Sequence, residues 1–299
     1  MRTCCRLCES QELKEVFELN PTPPANAFIP ESELNETQDC FPLDMHQCVD
    51  CGHVQLLTVI DSEYLFRKYI YVSGTSSVFV NHFQSYAESI IQDYGLRQND
   101  LVVEIGSNDG TLLNFFKEKG MQVLGIDPAT RIAKNTTKSG IETIPRFFNE
   151  HLAKEIRKDR GTAKVIPANN VFAHIDDLIG FVNGVRELLA DDGIFVFEVS
   201  YLLDVYEKTF FDMTYHEHLS YHSVLPLKSF FESNYLQLID AKRVGTHGGS
   251  LRGIVQKEGG LRETNDSIKD LIELELKFAL NEPETWLGFK ERIGKKGQD

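Results

Sequence analysis

Residues 214–222, TYHEHLSYH, carry three histidines, two tyrosines and a glutamate in nine positions. Histidine exchanges a proton near neutral pH, a neighbouring carboxylate can fix its tautomer, and a phenol can donate to a developing oxyanion. His218 with Tyr215 and Glu217 therefore forms a candidate proton-transfer group. The alternative is a lid whose polar aromatics only pack and hydrogen-bond. A catalytic metal fits the spacing poorly. Metalloproteases use H-E-x-x-H on one helix face, whereas the H-E-H of 216–218 sends its histidines to different faces. A second polar stretch, NNVFAH at 169–174, contributes Asn169, Asn170 and His174. It follows an apolar strand-like run, so it points toward the same edge of a sheet. A plain turn is the alternative reading of the two asparagines.

The stretch LVVEIGSNDG at 101–110 is followed by the apolar run TLLNFFKEKG. This reads as strand, tight turn and helix, a unit that aims backbone N–H groups and a helix N-terminus at a ligand. A dinucleotide fingerprint would need glycines at 108 and 111, where the chain has Asn108 and Thr111. The spacing instead resembles the first motif of class I S-adenosylmethionine methyltransferases, with Glu104, Gly106 and Gly110 in place and Asn108 in the middle glycine slot. The next strand, QVLGID, ends on Asp127, placed to accept ribose hydroxyls. An ordinary strand, turn and helix without ligand is the plainer alternative.

Five of the six cysteines sit in two clusters. CRLC at 5–8 and CVDC at 48–51 offer Cys5, Cys8, Cys48 and Cys51 at the spacing of a tetrahedral zinc site. Cys4 and His53 are spare candidates. Four protein ligands leave no open position, so a structural metal is expected.

The elements that must position these groups follow from patterning. Apolar runs near 101–106, 122–127, 141–146, 163–168 and 193–199 alternate with helical runs after Gly110, Pro128, Asn149, Ile175 and Tyr201. The expected fold class is α/β, a doubly wound Rossmann-like parallel sheet with a small N-terminal metal domain. YLQLIDAKRV and SLRGIVQKEG flank the turn GTHGG and read as a closing antiparallel pair. The Pro-rich stretch 21–30 is a loop, FPLDMHQC and GHVQLLTV form short strands at the metal, and 78–96 is a helix leading into the core. The expected division is 1–60 for zinc, 61–98 as a helical linker and substrate-site segment, 99–260 for the nucleotide-type core and 261–299 as a helical remnant of a further lobe.

A formal net charge of −14 argues against nucleic acid or anionic membrane as partners. No apolar run is long enough to span a bilayer, and MRTCCRLC lacks the apolar core of a signal peptide, so a cytoplasmic location is expected.

CRLC with PPANAF and CVDCGHVQL, then YIYVSGTSS, VVEIGSNDG, NNVFAHI, YHEHLSYHS and THGGSLR occur in an order that resembles the sugar C-methyltransferases of deoxysugar biosynthesis. The resemblance implies a class I methyltransferase core, S-adenosylmethionine as donor and structural zinc. It implies methylation of a carbon beside the keto group of a nucleotide-linked 4-keto-deoxysugar. His218 would be the general base, and Tyr215 and Glu217 would bind or orient the sugar and the base. His174 and Tyr69 would line the sugar pocket and help stabilise the enolate oxygen. Glu104, Gly106, Asn108 and Gly110 would cradle the methionine part, Asp127 the ribose, and Asn169 and Asn170 would lie near the donor methyl. Members of that family continue well past this length into a second α/β lobe, so the chain is expected to be either a fragment or a naturally short version, and the turn at 247–250 would face where that lobe packs. The alternatives are a methyltransferase of another small molecule, or a zinc- and donor-binding protein without turnover.

Overall fold

Apolar strands paired side by side, with the buried stripes of helices laid across them, give a seven-stranded sheet covered on both faces. The structure is a computed structural model, and it describes residues 1–26, 28–67, 69 and 72–296. Ala27 of PPANAF, Ile70 and Tyr71 of YIYVSGTSS, and the end of the polar tail (297–299) lie outside the described residues.

In chain order the elements are β1 (Leu13–Phe17), β2 (Met45–Cys48), β3 (Val54–Leu56), α1 (Ser62–Phe66), α2 (Ser77–Asp93), β4 (Leu101–Ile105), α3 (Thr111–Glu118), β5 (Gln122–Ile126), α4 (Thr130–Lys138), β6 (Thr143–Ile144), α5 (Glu150–Arg160), β7 (Ala163–Asn169), α6 (Leu178–Leu188), β8 (Leu189–Ser200), α7 (Leu202–Lys208), β9 (Ser220–Tyr221), α8 (Val224–Ser233), β10 (Leu236–Val244), β11 (Ser250–Lys257), α9 (Ser267–Lys277) and α10 (Pro283–Lys296). The large sheet runs β10-β11-β8-β7-β4-β5-β6. β4 to β8 are parallel, and β11 pairs antiparallel with both β8 and β10. The five parallel strands fall where the apolar runs predict them. The third is cut to two residues, and the fifth starts earlier, at Leu189.

The chain moves outward from β4 to β5 in one direction and from β7 to β8 in the other. The gap between β4 and β7 at their C-terminal ends is therefore a topological switch point, where such sheets leave a crevice. The helices seat on the sheet by spacing. On α2, Phe83, Tyr86, Ala87 and Ile90 make one buried stripe at i, i+3, i+4 and i+7. Helices α5 and α6 start on Asn149 and Asp177, whose side chains accept from Leu152 N and Gly180 N at 2.9 Å each. Phe172 is fully buried at the centre of a cluster with Phe181, Phe195, Phe197, Phe230 and Phe231.

A second, antiparallel sheet runs β1-β2-β3-β9. Its last strand comes from the polar segment around His218, so that segment is stitched to the N-terminal hairpin. The far end of the chain also packs there. Phe17 meets Phe289 edge-on at 5.5 Å, and Gln47 Nε2 donates to Leu280 O at 2.7 Å.

Candidate active site

At the switch point the strand ends leave a cavity of about 590 Å³. Glu104, Gly106, Asn108, Asp127, Asn169 and Asn170 line one end, and Tyr69, His174, Tyr215, Glu217, His218 and His247 line the other. Gly110 lies outside the lining and shapes the turn from behind, donating to Ser107 O at 2.9 Å.

The glycine turn has the geometry its residues require. Gly106 sits at φ +71° with its N–H on Ile126 O at 2.7 Å, and a Cβ there would stand 2.2 Å from Val171 Cγ2. Asn108 (φ +48°) and Gly110 (φ +76°) are also left-handed, which asparagine and glycine tolerate best. Asp127 accepts from Asn108 N and Ala129 N at 2.8 Å each, so its carboxylate locks the turn as well as facing the cavity. Glu104 is buried, and its Oε2 has no hydrogen-bond partner among the described residues. Burial, with Asp109 and Asp127 nearby, holds its carboxyl well above the usual range. Asn169 is likewise buried, with the buried Tyr86 hydroxyl beside its side chain. Buried polar atoms are normally satisfied, so this end can take polar groups of a ligand. An ammonium, an amide or a ribose would supply the missing partners.

At the other end the histidines are neutral bases. His218 Nδ1 lies 2.9 Å from Met213 O, which can only accept, so Nδ1 carries the proton. Nε2 therefore holds a lone pair, and the Tyr215 hydroxyl donates to it at 2.6 Å. Burial pulls His218 down to about 4. His174 stacks between Phe66 at 5.5 Å and His218 at 5.2 Å, with its buried Nε2 unpartnered among the described residues. Burial, with His218 and His247 nearby, holds it well below the usual histidine range. Glu217 accepts from Asn26 Nδ2 at 3.0 Å, and burial pushes its carboxyl up. Among the described residues no hydrogen bond joins it to His218; the groups hydrogen-bonded to that ring are Met213 O and the Tyr215 hydroxyl.

The four cysteines converge as the spacing predicts. Cys5, Cys8, Cys48 and Cys51 place their sulfurs within 4.8 Å of one another. The pairs Cys5–Cys51 and Cys8–Cys48 are 3.6 and 3.5 Å apart. A tetrahedron with 2.3 Å zinc–sulfur bonds has edges of roughly 3.8 Å, so the residues fit that ion. Cys4 and His53 stand outside the cluster, and His53 Nε2 meets Ser220 Oγ at 3.2 Å instead.

A methyltransferase domain family model matches residues 79–240, more than half of the chain. The chain belongs to the methyltransferase family. A zinc binding domain model matches residues 5–66, and a C-methyltransferase C-terminal domain model matches residues 245–299. The C-methyltransferase NovU of Streptomyces niveus is 33% identical over 268 residues, covering 90% of this chain and 64% of that protein. The chain thus spans less than two thirds of that relative's length. Two solved structures resemble it at a TM-score of 0.48 and 12% identity. One is the magnesium protoporphyrin IX methyltransferase of Synechocystis PCC 6803 with bound SAM, covering 67% of this chain and 99% of that one. The other is an S-adenosylmethionine-dependent methyltransferase of Clostridium acetobutylicum ATCC 824, covering 60% and 92%.

Several groups near this cavity were not among the candidates the sequence offered. Ser73 N and Gly74 N donate to Asn108 Oδ1 and Asp109 Oδ2 at 3.0 and 2.8 Å, pinning the SGT stretch onto the glycine turn. His247 lines the cavity, with its Nε2 accepting from Asn170 Nδ2 at 3.1 Å, and does not simply face outward from its hairpin turn. Glu198, buried at the end of β8, pairs with Arg252 and with His82 at 2.8 Å. Burial raises its carboxyl, but His82 and Arg252 together pull it below the usual range. The alternation of β8 marks Glu198 as a polar residue in an apolar run, which was the available signal.

Proposed function

We propose that this methyltransferase is an S-adenosylmethionine-dependent C-methyltransferase acting on a nucleotide-linked 4-keto-deoxysugar. The observation that carries the reading is one cavity lined both by the buried, unpaired Glu104 carboxyl at the glycine turn and by the Tyr215–His218 pair. The likeness to a C-methyltransferase and the order of motifs support the substrate class.

Glu104, Gly106 and Asn108 hold the methionine part of the donor, with Gly110 keeping the turn tight. Asp127 takes the ribose, and Asn169 and Asn170 lie beside the transferred group. When bound, S-adenosylmethionine supplies the methyl group. The four cysteines hold zinc as a closed structural site. His218 Nε2 is unprotonated at neutral pH and withdraws the proton from the acceptor carbon beside its keto group. An acceptor reaching Nε2 displaces the Tyr215 hydroxyl, which then donates to the carbonyl oxygen as charge develops there. His174 and Tyr69 stand where they can add to that stabilisation, and Glu217 orients the sugar.

The test is calorimetric titration with S-adenosylhomocysteine, followed by transfer from labelled donor to a panel of dTDP-4-keto-deoxysugars. His218→Ala is expected to keep S-adenosylhomocysteine affinity and lose transfer. Binding without transfer to any such sugar sinks the substrate class. Absence of binding sinks the donor assignment, and transfer by His218→Ala at the native rate sinks the base.

A further inference from the structure

Arg6 lies between two zinc-site cysteines, and its side chain is fully buried. A buried guanidinium is unusual unless several acceptors surround it. Four do. Its Nε donates to Asp176 Oδ1 at 3.1 Å, and its NH2 lies 3.0 Å from the same oxygen as an ion pair with no hydrogen bond of its own among the described residues. Its NH1 donates to Leu56 O at 2.6 Å, Leu219 O at 3.1 Å and Gln55 Oε1 at 3.3 Å.

These acceptors belong to different parts of the fold. Leu219 directly follows His218, and Asp176 is two residues beyond His174. Leu219 O also accepts from Leu56 N at 3.0 Å, so the His218 segment is held to β3 and to Arg6 at one carbonyl. One guanidinium fork thus spans the two segments whose rings stack at 5.2 Å. The backbone that carries it is the metal turn itself, where Leu7 N donates to Cys5 Sγ at 3.4 Å and Glu9 N to Cys5 O at 3.1 Å. An apolar residue of like volume would fill the same space without fixing the two segments relative to each other. The planar fork is what gives directional, simultaneous contact.

We propose that Arg6 is a positioning residue: anchored by the zinc turn, its guanidinium sets the spacing of His174 and His218 and so couples the metal site to the proton-transfer end of the cavity. The effect on transfer rests on the function proposed above; the ring spacing does not.

The experiment compares the native chain with Arg6→Met and Arg6→Lys, each bound to S-adenosylhomocysteine and carrying ring-labelled histidine for NMR. Arg6→Met is expected to retain one zinc per chain and to bind S-adenosylhomocysteine within twofold of the native chain. The His174 and His218 ring resonances are expected to move, and transfer to fall on the order of 10²-fold in kcat, the scale of a small misplacement of reacting groups. Arg6→Lys, which keeps the charge and loses the fork, should restore part of both. Unmoved ring resonances with transfer within twofold of native overturn the proposal. If Arg6→Met loses its zinc, Asp176→Asn replaces it, judged against Arg2→Met because Arg2 also binds Asp176, and it weakens the fork at its far end while keeping all four cysteines. It should keep zinc and move the His174 resonance, and an unmoved His174 then overturns the proposal. If the native chain methylates no acceptor, the proposed function fails while the ring resonances still decide the role of Arg6.

Discussion

His222 offers a direct way to weigh burial against solvation in this protein. Its ring is wholly buried and stacks on Phe172 at 4.9 Å and 12°. Burial, with the charge of Arg6 and the neighbouring His218, pulls it from the ordinary 6.5 to about 4, against the hydrogen bond to Phe172 O. The folded state therefore prefers the neutral ring. Its contribution to stability is complete above pH 6.5 and is lost as the pH falls from there toward 4, because only the unfolded chain can take the proton in that window. At pH 5 an unfolded histidine of pKa 6.5 gains roughly 2 kcal/mol from protonation that a buried ring of pKa about 4 hardly shares. Buried Glu104 and Glu217 shift upward and act in the opposite sense. The quantity to follow is thus a difference between native and His222→Gln chains. Trp286 is the only tryptophan and is fully buried, so its fluorescence reports guanidinium unfolding. His222→Gln is expected to be the less stable at pH 7.5, through lost stacking, with the gap closing by about 2 kcal/mol at pH 5. A gap that stays constant between the two pH values refutes the argument that His222 is neutral because it is buried.

Gly106→Ala places a methyl group against Val171 at a left-handed backbone position, so S-adenosylhomocysteine affinity is expected to fall at least about tenfold by calorimetry. Unchanged affinity would remove the turn from the donor site. Glu275→Ala takes the acceptor from Tyr201 OH, Val224 N and Leu225 N at once. A loss of roughly 3 kcal/mol in unfolding free energy is expected, since each buried donor left unpaired costs about 1–3 kcal/mol; a loss under about 1 kcal/mol would show that water replaces it. Removal of zinc with a strong chelator should release one ion per chain and lower the thermal midpoint. Two ions, or none in a folded sample, would sink the single four-cysteine site.

The large sheet was readable because its signals are local. Each apolar run is bounded by its own turn or cap, as with Asn149 and Asp177. The cysteine site was readable for the same reason, since CxxC places two ligands in one turn. Partnerships far apart in the chain were not readable. β9 is two residues long and pairs with β3 from more than 160 positions away, so no periodicity announces it. Glu275 sits in the helical run 261–299, where nothing local marks it as buried, yet it is buried and caps the start of α8. Glu217, next in sequence to His218, invited a catalytic pairing, but the turn directs it to Asn26 and leaves Tyr215 as the ring's partner.

The small sheet has a consequence for how the chain is made. Its first three strands emerge from the ribosome early, but its fourth strand is 220–221 and the helix packed on β1 is Pro283–Lys296. The metal turn can close at once on four nearby thiolates. The surface around it stays uncovered until residues 220–221 and 283–296 have been synthesised. Long-separation contacts of this kind slow folding and leave sticky intermediates exposed. Early metal capture would then serve as a placeholder, keeping the nascent hairpin in shape while it waits for its distant partners. A chain synthesised under zinc starvation would expose this surface without that restraint until its distant partners arrive.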